Sequence, residues 1–295
     1  MTISARALGI GAALVGATAY GVNIVFARMA TQQGVSAADL VFLRVFLMMG
    51  AVAATIALAG GSLKVETRDR PVLILVGVTS AGIGLAYFFA ISFVPIGIAA
   101  VVFYTFPLLI LLASPFIDGE RFTLQRLGVF ALAFCGLAIA LGPKLGGIDM
   151  RGVLLAAAAS VFAACQFFAA ARAGGRIGQK ALLFWSHVVI MPIAGLAALA
   201  NGLGSWSVLA GAWFAATMTI AGYVIGFVFQ MLSARSAPPA LVGLVFCLEP
   251  VVAIVAANFV LGETLSAPQM VGSLLVLTAL VASSLVELRR APKSV

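Results

Sequence analysis

The stretch VLLAAAASVFAACQFFAAA, residues 153–171, constrains this chain more than any other, because it runs through nineteen positions without a charge. A helix of that length satisfies its own backbone polar groups and spans roughly the ~30 Å of bilayer hydrocarbon. A transmembrane β-strand would alternate apolar and polar residues with period two, and this run does not. Similar runs recur along the chain, so hydrophobic residues reach 63% and charged ones only 9%. A soluble domain carries about a quarter charged residues, so that class is excluded. What remains is an all-α membrane protein in which each helix closes its own hydrogen bonds.

Charged and Gly/Pro-rich breaks divide the chain into ten expected spans, at 8–28, 38–59, 71–92, 96–116, 124–142, 152–171, 181–200, 208–232, 237–260 and 268–287. The third and fourth are separated only by the tight SFVPIG turn. With the N-terminus inside, thirteen Lys and Arg residues fall on cytoplasmic segments, three (Arg28, Lys144, Arg151) fall outside, and Arg44 lies within a span. That bias satisfies the positive-inside rule for a multi-pass protein of a bacterial inner membrane with both termini cytoplasmic. Trp206 and Trp213 then flank an outer connection, where an aromatic belt is expected. The apolar run from about Leu8 to Ala27 is too long for the core of a cleavable signal, and Arg28 follows it.

A shift of 143 residues exposes an internal repeat. It lays VPIGIAAVVFYTFPLLILLASPFIDGERF over APPALVGLVFCLEPVVAIVAANFVLGETL, matching Pro95 with Pro238, Phe103 with Phe246, Pro107 with Pro250, and Gly119-Glu120 with Gly262-Glu263. The same shift pairs Asn23 with Gln166, Phe42 with Trp185, and Arg44 with His187. Each half, 1–147 and 148–295, holds five spans, and an odd number of crossings inverts the second relative to the first. Two inverted five-helix repeats are the architecture of alternating-access carriers, in which a substrate site lies near the midplane between the halves. Pro107 and Pro250 each remove a helical hydrogen bond, freeing the carbonyls of Phe103 and Phe246. Each is expected to act as a hinge or as a static kink.

The segments LEPVVAIVAANFVLGE and YTFPLLILLASPFIDGE, in a five-plus-five layout, resemble the EamA-type transporters of the drug/metabolite transporter superfamily. Within it the chain is similar to the bacterial amino-acid exporters, including the YddG-like aromatic amino-acid branch. The resemblance implies a carrier that moves metabolites out of the cytoplasm without ATP.

Polar groups at membrane depth are costly and mark candidate sites. Glu249 lies midway along the ninth span: it binds a substrate ammonium, takes up a proton, or stays neutral or ion-paired as a packing element. Arg44 holds a substrate carboxylate bidentately, snorkels outward, or pairs with Asp39. His187 is either a neutral imidazole bonded to a backbone carbonyl or a proton-coupling group. Tyr20, Tyr87, Tyr104 and Tyr223 all fall inside spans, where a phenol needs a partner or a wet cavity. With Asn23, Gln166, Trp185, Phe103 and Phe246 they are expected to line an aromatic, sparsely polar cavity, which suits an amino acid better than a sugar phosphate. The paired Gly-Glu signatures read as helix ends, Ser266 with Gln269 as a capping box, and Gly222 with Gly226 as a close-packing face.

Other classes lack their signatures. The net charge of +8 is scattered through short loops rather than gathered into a nucleic-acid patch. Cys135, Cys165 and Cys247 lie in apolar runs without metal-ligand or disulfide spacing. No clustered carboxylates, G-x-S-x-G or P-loop point to an enzyme. No cofactor or metal is expected. The expected partners are a small-molecule substrate and membrane lipid, with proton coupling and oligomeric state left open. Multidrug or cationic-compound efflux is the alternative function, and an intramembrane enzyme the more distant one.

Overall fold

The computed structural model describes residues 5–119, 123–142, 148–202, 204 and 206–290, with side chains described as far as residue 283. Glu120, Arg121, Lys144 and Lys293 therefore lie outside the described residues. The helices are α1 (Ala5–Gln32), α2 (Ala37–Ala59), α3 (Arg70–Ala90), α4 (Ile96–Phe103), α5 (Phe106–Ile117), α6 (Leu124–Leu141), α7 (Met150–Gly174), α8 (Gln179–Ala200), α9 (Trp206–Gly211), α10 (Trp213–Ser236), α11 (Pro239–Phe246), α12 (Leu248–Leu261) and α13 (Ala267–Arg290). Among the described residues, nine spans are long and apolar enough to cross a bilayer by themselves, with α4–α5 and α11–α12 each counted as one. The apolar part of α13 supplies the tenth. The eighth span starts at Trp213 rather than at 208, because residues 206–211 form the separate turn of α9.

Local chemistry sets the helix ends. Ser36 Oγ accepts from Asp39 N at 3.1 Å and starts α2, while Asp149 does the same for α7 from Arg151 N at 2.9 Å. The Arg151 guanidinium also forks onto Asp149 and holds its carboxyl below the usual carboxylate range. Ser266 and Gln269 form the expected reciprocal capping box. Gly119 and Gly262, at φ +69° and +68°, end their helices in the left-handed region, as their matched positions in the repeat suggested. Glu263 does more than end a helix, since it also pairs with Arg28 at 2.7 Å and ties the end of α1 to the loop before α13.

Packing repeats the symmetry of the sequence. The α1–α10 contact has its counterpart in α7–α3, α1–α12 in α7–α5, and α2–α10 in α8–α3. The α2–α8 and α6–α13 contacts map onto themselves, which places them about the two-fold relation between the inverted repeats. The repeats are not two separate bundles, however. The first span of each packs against helices of the other repeat and barely meets its own next span. Small residues explain the exchange. A Cβ on Gly222 would lie 2.9 Å from the Ala19 carbonyl oxygen, and one on Gly226 would lie 2.7 Å from the Tyr20 ring. The G-Y-V-I-G face of α10 thus admits α1 at close range and seats Tyr20 and Asn23.

Candidate transport cavity

The same two-fold relation organises the site. A cavity of about 470 Å³ lies among α1, α2, α3, the α4–α5 break, α7, α8, α10 and α11–α12. Half of its wall is built from pairs of positions 143 residues apart: Tyr20 and Ala163, Asn23 and Gln166, Ile24 and Phe167, Ser80 and Tyr223, Gly84 and Phe227, Tyr87 and Gln230, Phe103 and Phe246, Phe106 and Glu249. The lining reaches Ala37 and Ala38 in the first turn of α2, Ile91 after α3, and Ala197 and Asn201 at the end of α8, all at one membrane face. Toward the opposite face the helices close over a buried apolar cluster that includes Met48, Val52, Leu73, Val76, Ile177, Leu182 and Met231. The lining thus runs toward one end of the helices, and the buried apolar cluster lies toward the other.

Both broken spans contribute. The α4–α5 span breaks at Tyr104 and Thr105 and the α11–α12 span at Cys247, each just before the proline in the first turn of the following helix. The second break puts Glu249 in the first turn of α12, facing the cavity, where the amide dipoles favour an anion. A Cβ on Gly21 would lie 2.6 Å from the Glu249 carbonyl oxygen, so α1 presses directly on this turn. Tyr104 neighbours the Glu249 carboxyl, and Tyr20 and Tyr87 line the same cavity.

Arg44 occupies another part of the wall. Its guanidinium carbon lies 4.3 Å from the centre of the Tyr223 ring, and its Nε is buried without a hydrogen-bond partner. Asp39, the partner considered for it in the sequence, instead accepts from the Gly204 N–H at 3.2 Å. Arg44 does not snorkel free of the wall; it rests on an aromatic face and lines the cavity.

The same wall carries a chain of neutral polar groups. Tyr20 Oη donates to Gln230 Oε1 at 3.0 Å, Gln230 Nε2 to Gln166 Oε1 at 3.0 Å, and Gln166 Nε2 to Ser80 Oγ at 2.7 Å. The chain crosses from α1 through α10 and α7 to α3, joining both repeats. Asn23 Nδ2 donates to the Thr219 carbonyl. Tyr20, Phe246, Phe167, Phe106, Phe103 and Tyr87 form a continuous aromatic surface, with neighbouring ring centres 5.4–6.1 Å apart.

Of the residues expected from the sequence, Tyr20, Asn23, Arg44, Tyr87, Tyr104, Gln166, Tyr223, Phe246 and Glu249 meet in this one cavity. Two do not line it. Trp185 is half-exposed, and its indole N–H donates to the Leu63 carbonyl at 2.8 Å, strapping the α2–α3 loop onto α8. His187 is wholly buried behind the wall and reaches Tyr223 from there. Sequence reading missed Ser80, Gln230 and Phe227, although a signal was present. The 143-residue shift that paired Asn23 with Gln166 also pairs Tyr223 with Ser80 and Tyr87 with Gln230. Among the described residues, no group of three His, Cys, Asp or Glu side chains could hold a metal.

The EamA-like transporter family matches this chain twice, over residues 7–142 and 150–285, one match to each five-span half. The chain belongs to that family. It is 27% identical over 227 residues to the threonine/homoserine exporter RhtA of Escherichia coli (strain K12), covering 76% of this chain and 72% of that one. It is 26% identical over 236 residues to the RhtA of Salmonella typhimurium (strain LT2), covering 78% and 76%. A crystal structure superposes with a TM-score of 0.77 at 23% identity, over 95% of this chain and 99% of the other, a likeness that speaks for the fold. A multi-pass membrane transporter of small molecules is what these matches and the helical architecture define.

Proposed function

We propose that this chain exports a small neutral amino acid across the bacterial inner membrane by alternating access. The substrate is held as a zwitterion, with its carboxylate on Arg44 and its ammonium on Glu249. The observation that carries this reading is the placement of Arg44 from the first repeat and Glu249 from the second on the wall of one cavity whose other lining residues are uncharged. Arginine supplies a planar fork for a carboxylate, and the carboxylate of Glu249 complements an ammonium. The relatives named for threonine and homoserine favour a small side chain over an aromatic one. The Tyr20–Gln230–Gln166–Ser80 chain keeps unused N–H groups beside the cavity for such a side chain.

With the termini cytoplasmic, the cavity faces outward and the Met48–Met231 cluster closes the cytoplasmic side. Export then requires the two repeats, divided at 147/148, to exchange conformations, with Pro107 and Pro250 at the hinges. The test is counterflow in proteoliposomes loaded with threonine, homoserine, phenylalanine or tetraphenylphosphonium. Saturable exchange of a neutral amino acid is expected. Exchange of the lipophilic cation alone would replace this reading with multidrug efflux. Glu249→Gln that keeps counterflow but loses the drive an imposed pH gradient gives to wild type would instead assign proton coupling to that carboxyl and move the ammonium off Glu249.

A further inference from the structure

We propose that His187, which does not touch the cavity, is a positioning residue for the carboxylate-binding arm of the site, acting through Tyr223 on Arg44. The inference rests on the reading of Arg44 as the carboxylate site. Its basis is geometric. The side chains at the repeat-equivalent positions 44 and 187 converge on the same tyrosine, Arg44 on the face of the ring and His187 on its hydroxyl.

The hydrogen-bond roles follow from the acceptors present. His187 Nδ1 lies 2.8 Å from the Leu183 carbonyl oxygen, which can only accept, so Nδ1 carries the hydrogen. The polar contacts of the buried ring are Leu183, Ser186 and Tyr223, none of them anionic. In the neutral imidazole Nε2 is then the acceptor, and the Tyr223 hydroxyl, 3.0 Å away, donates to it. Phe227 stands edge-on to the imidazole at 4.7 Å and fixes its plane. Tyr223 is thereby held at its far end while its face supports the guanidinium. His187 engages the hydroxyl while Arg44 rests on the ring face, and the buried Arg44 Nε has no partner of its own. A guanidinium seated on a fixed platform presents its fork in one direction, and less ordering is then lost when a carboxylate binds.

The test measures binding of threonine and of 1-aminopropan-2-ol, its analogue without the carboxylate, to purified protein by calorimetry. Arg44→Ala is expected to weaken threonine at least tenfold relative to the amine. His187→Leu is expected to weaken threonine about fivefold, the worth of one buried hydrogen bond, with the amine within twofold of wild type, and Tyr223→Phe to weaken threonine by a similar factor. The double variant should bind threonine no worse than either single one, and His187→Gln, which keeps an acceptor, should recover most of the affinity. Equal loss for threonine and the amine in His187→Leu, or losses that multiply in the double variant, would overturn the positioning role. If Arg44→Ala leaves threonine unaffected, the carboxylate reading itself fails. Should His187→Leu not fold, Tyr223→Phe and His187→Gln carry the same comparison.

Discussion

The two broken spans share one device but differ in what surrounds it. At the first break, Thr105 Oγ1 bonds back to the Val102 carbonyl at 2.7 Å and across to Ser160 Oγ on α7 at 2.8 Å. At the second, the break residue is Cys247, whose Sγ lies 4.0 Å from the Gly243 carbonyl of its own helix. The wall residue that follows is Phe106 in the first case and Glu249 in the second. One break is pinned to a neighbouring helix and presents an aromatic face, while the other carries the charge. The repeat supplies matched scaffolds, and chemical function enters where the copies diverge. Arg44 opposite His187, and Tyr20 opposite Ala163, follow the same rule.

Substitutions can break this comparison, and the largest effect is expected at the charged break. Glu249→Gln should lower amino-acid counterflow at least thirtyfold, since an ammonium left without its anion loses roughly 2–5 kcal/mol, whereas Phe106→Leu at the matched position should stay within about threefold. Arg44→Lys comes next. It keeps the charge but loses the fork and the flat contact with Tyr223, and KM should rise about tenfold with the maximal rate little changed. The proline pair sharpens the contrast further. Pro250→Ala should slow turnover about fivefold at unchanged KM, while Pro107→Ala, with its break still tied to Ser160, should slow it no more than about twofold. The smallest effect belongs to Thr105→Val, which removes the tie to α7 and should cost about 1 kcal/mol of thermal stability in detergent while leaving KM unchanged.

Much of the fold was legible because the bilayer leaves few choices: apolar runs set the spans, and an odd number of spans per repeat sets the inversion. The exchange of α1 between repeats was not legible, because it depends on where Gly222 and Gly21 meet other backbones and Gly226 meets the Tyr20 ring rather than on any pattern along the chain. In the site, polar and aromatic residues in apolar spans announced themselves. Trp185 misled because an indole inside an expected span looks the same whether it faces a cavity or, as here, a loop carbonyl. His187 was read in two ways, and the contact with the Leu183 carbonyl accords with the neutral imidazole. Its link to Tyr223 spans 36 residues, and no local signal in the sequence carries it.

An experimental structure of the protein with threonine bound is the most direct test of how substrate is held. The expected result is a single ligand in the cavity between the repeats, its carboxylate on the Arg44 guanidinium and its ammonium on Glu249. A ligand outside that cavity, or one inside it that touches neither charge, would contradict the assignment.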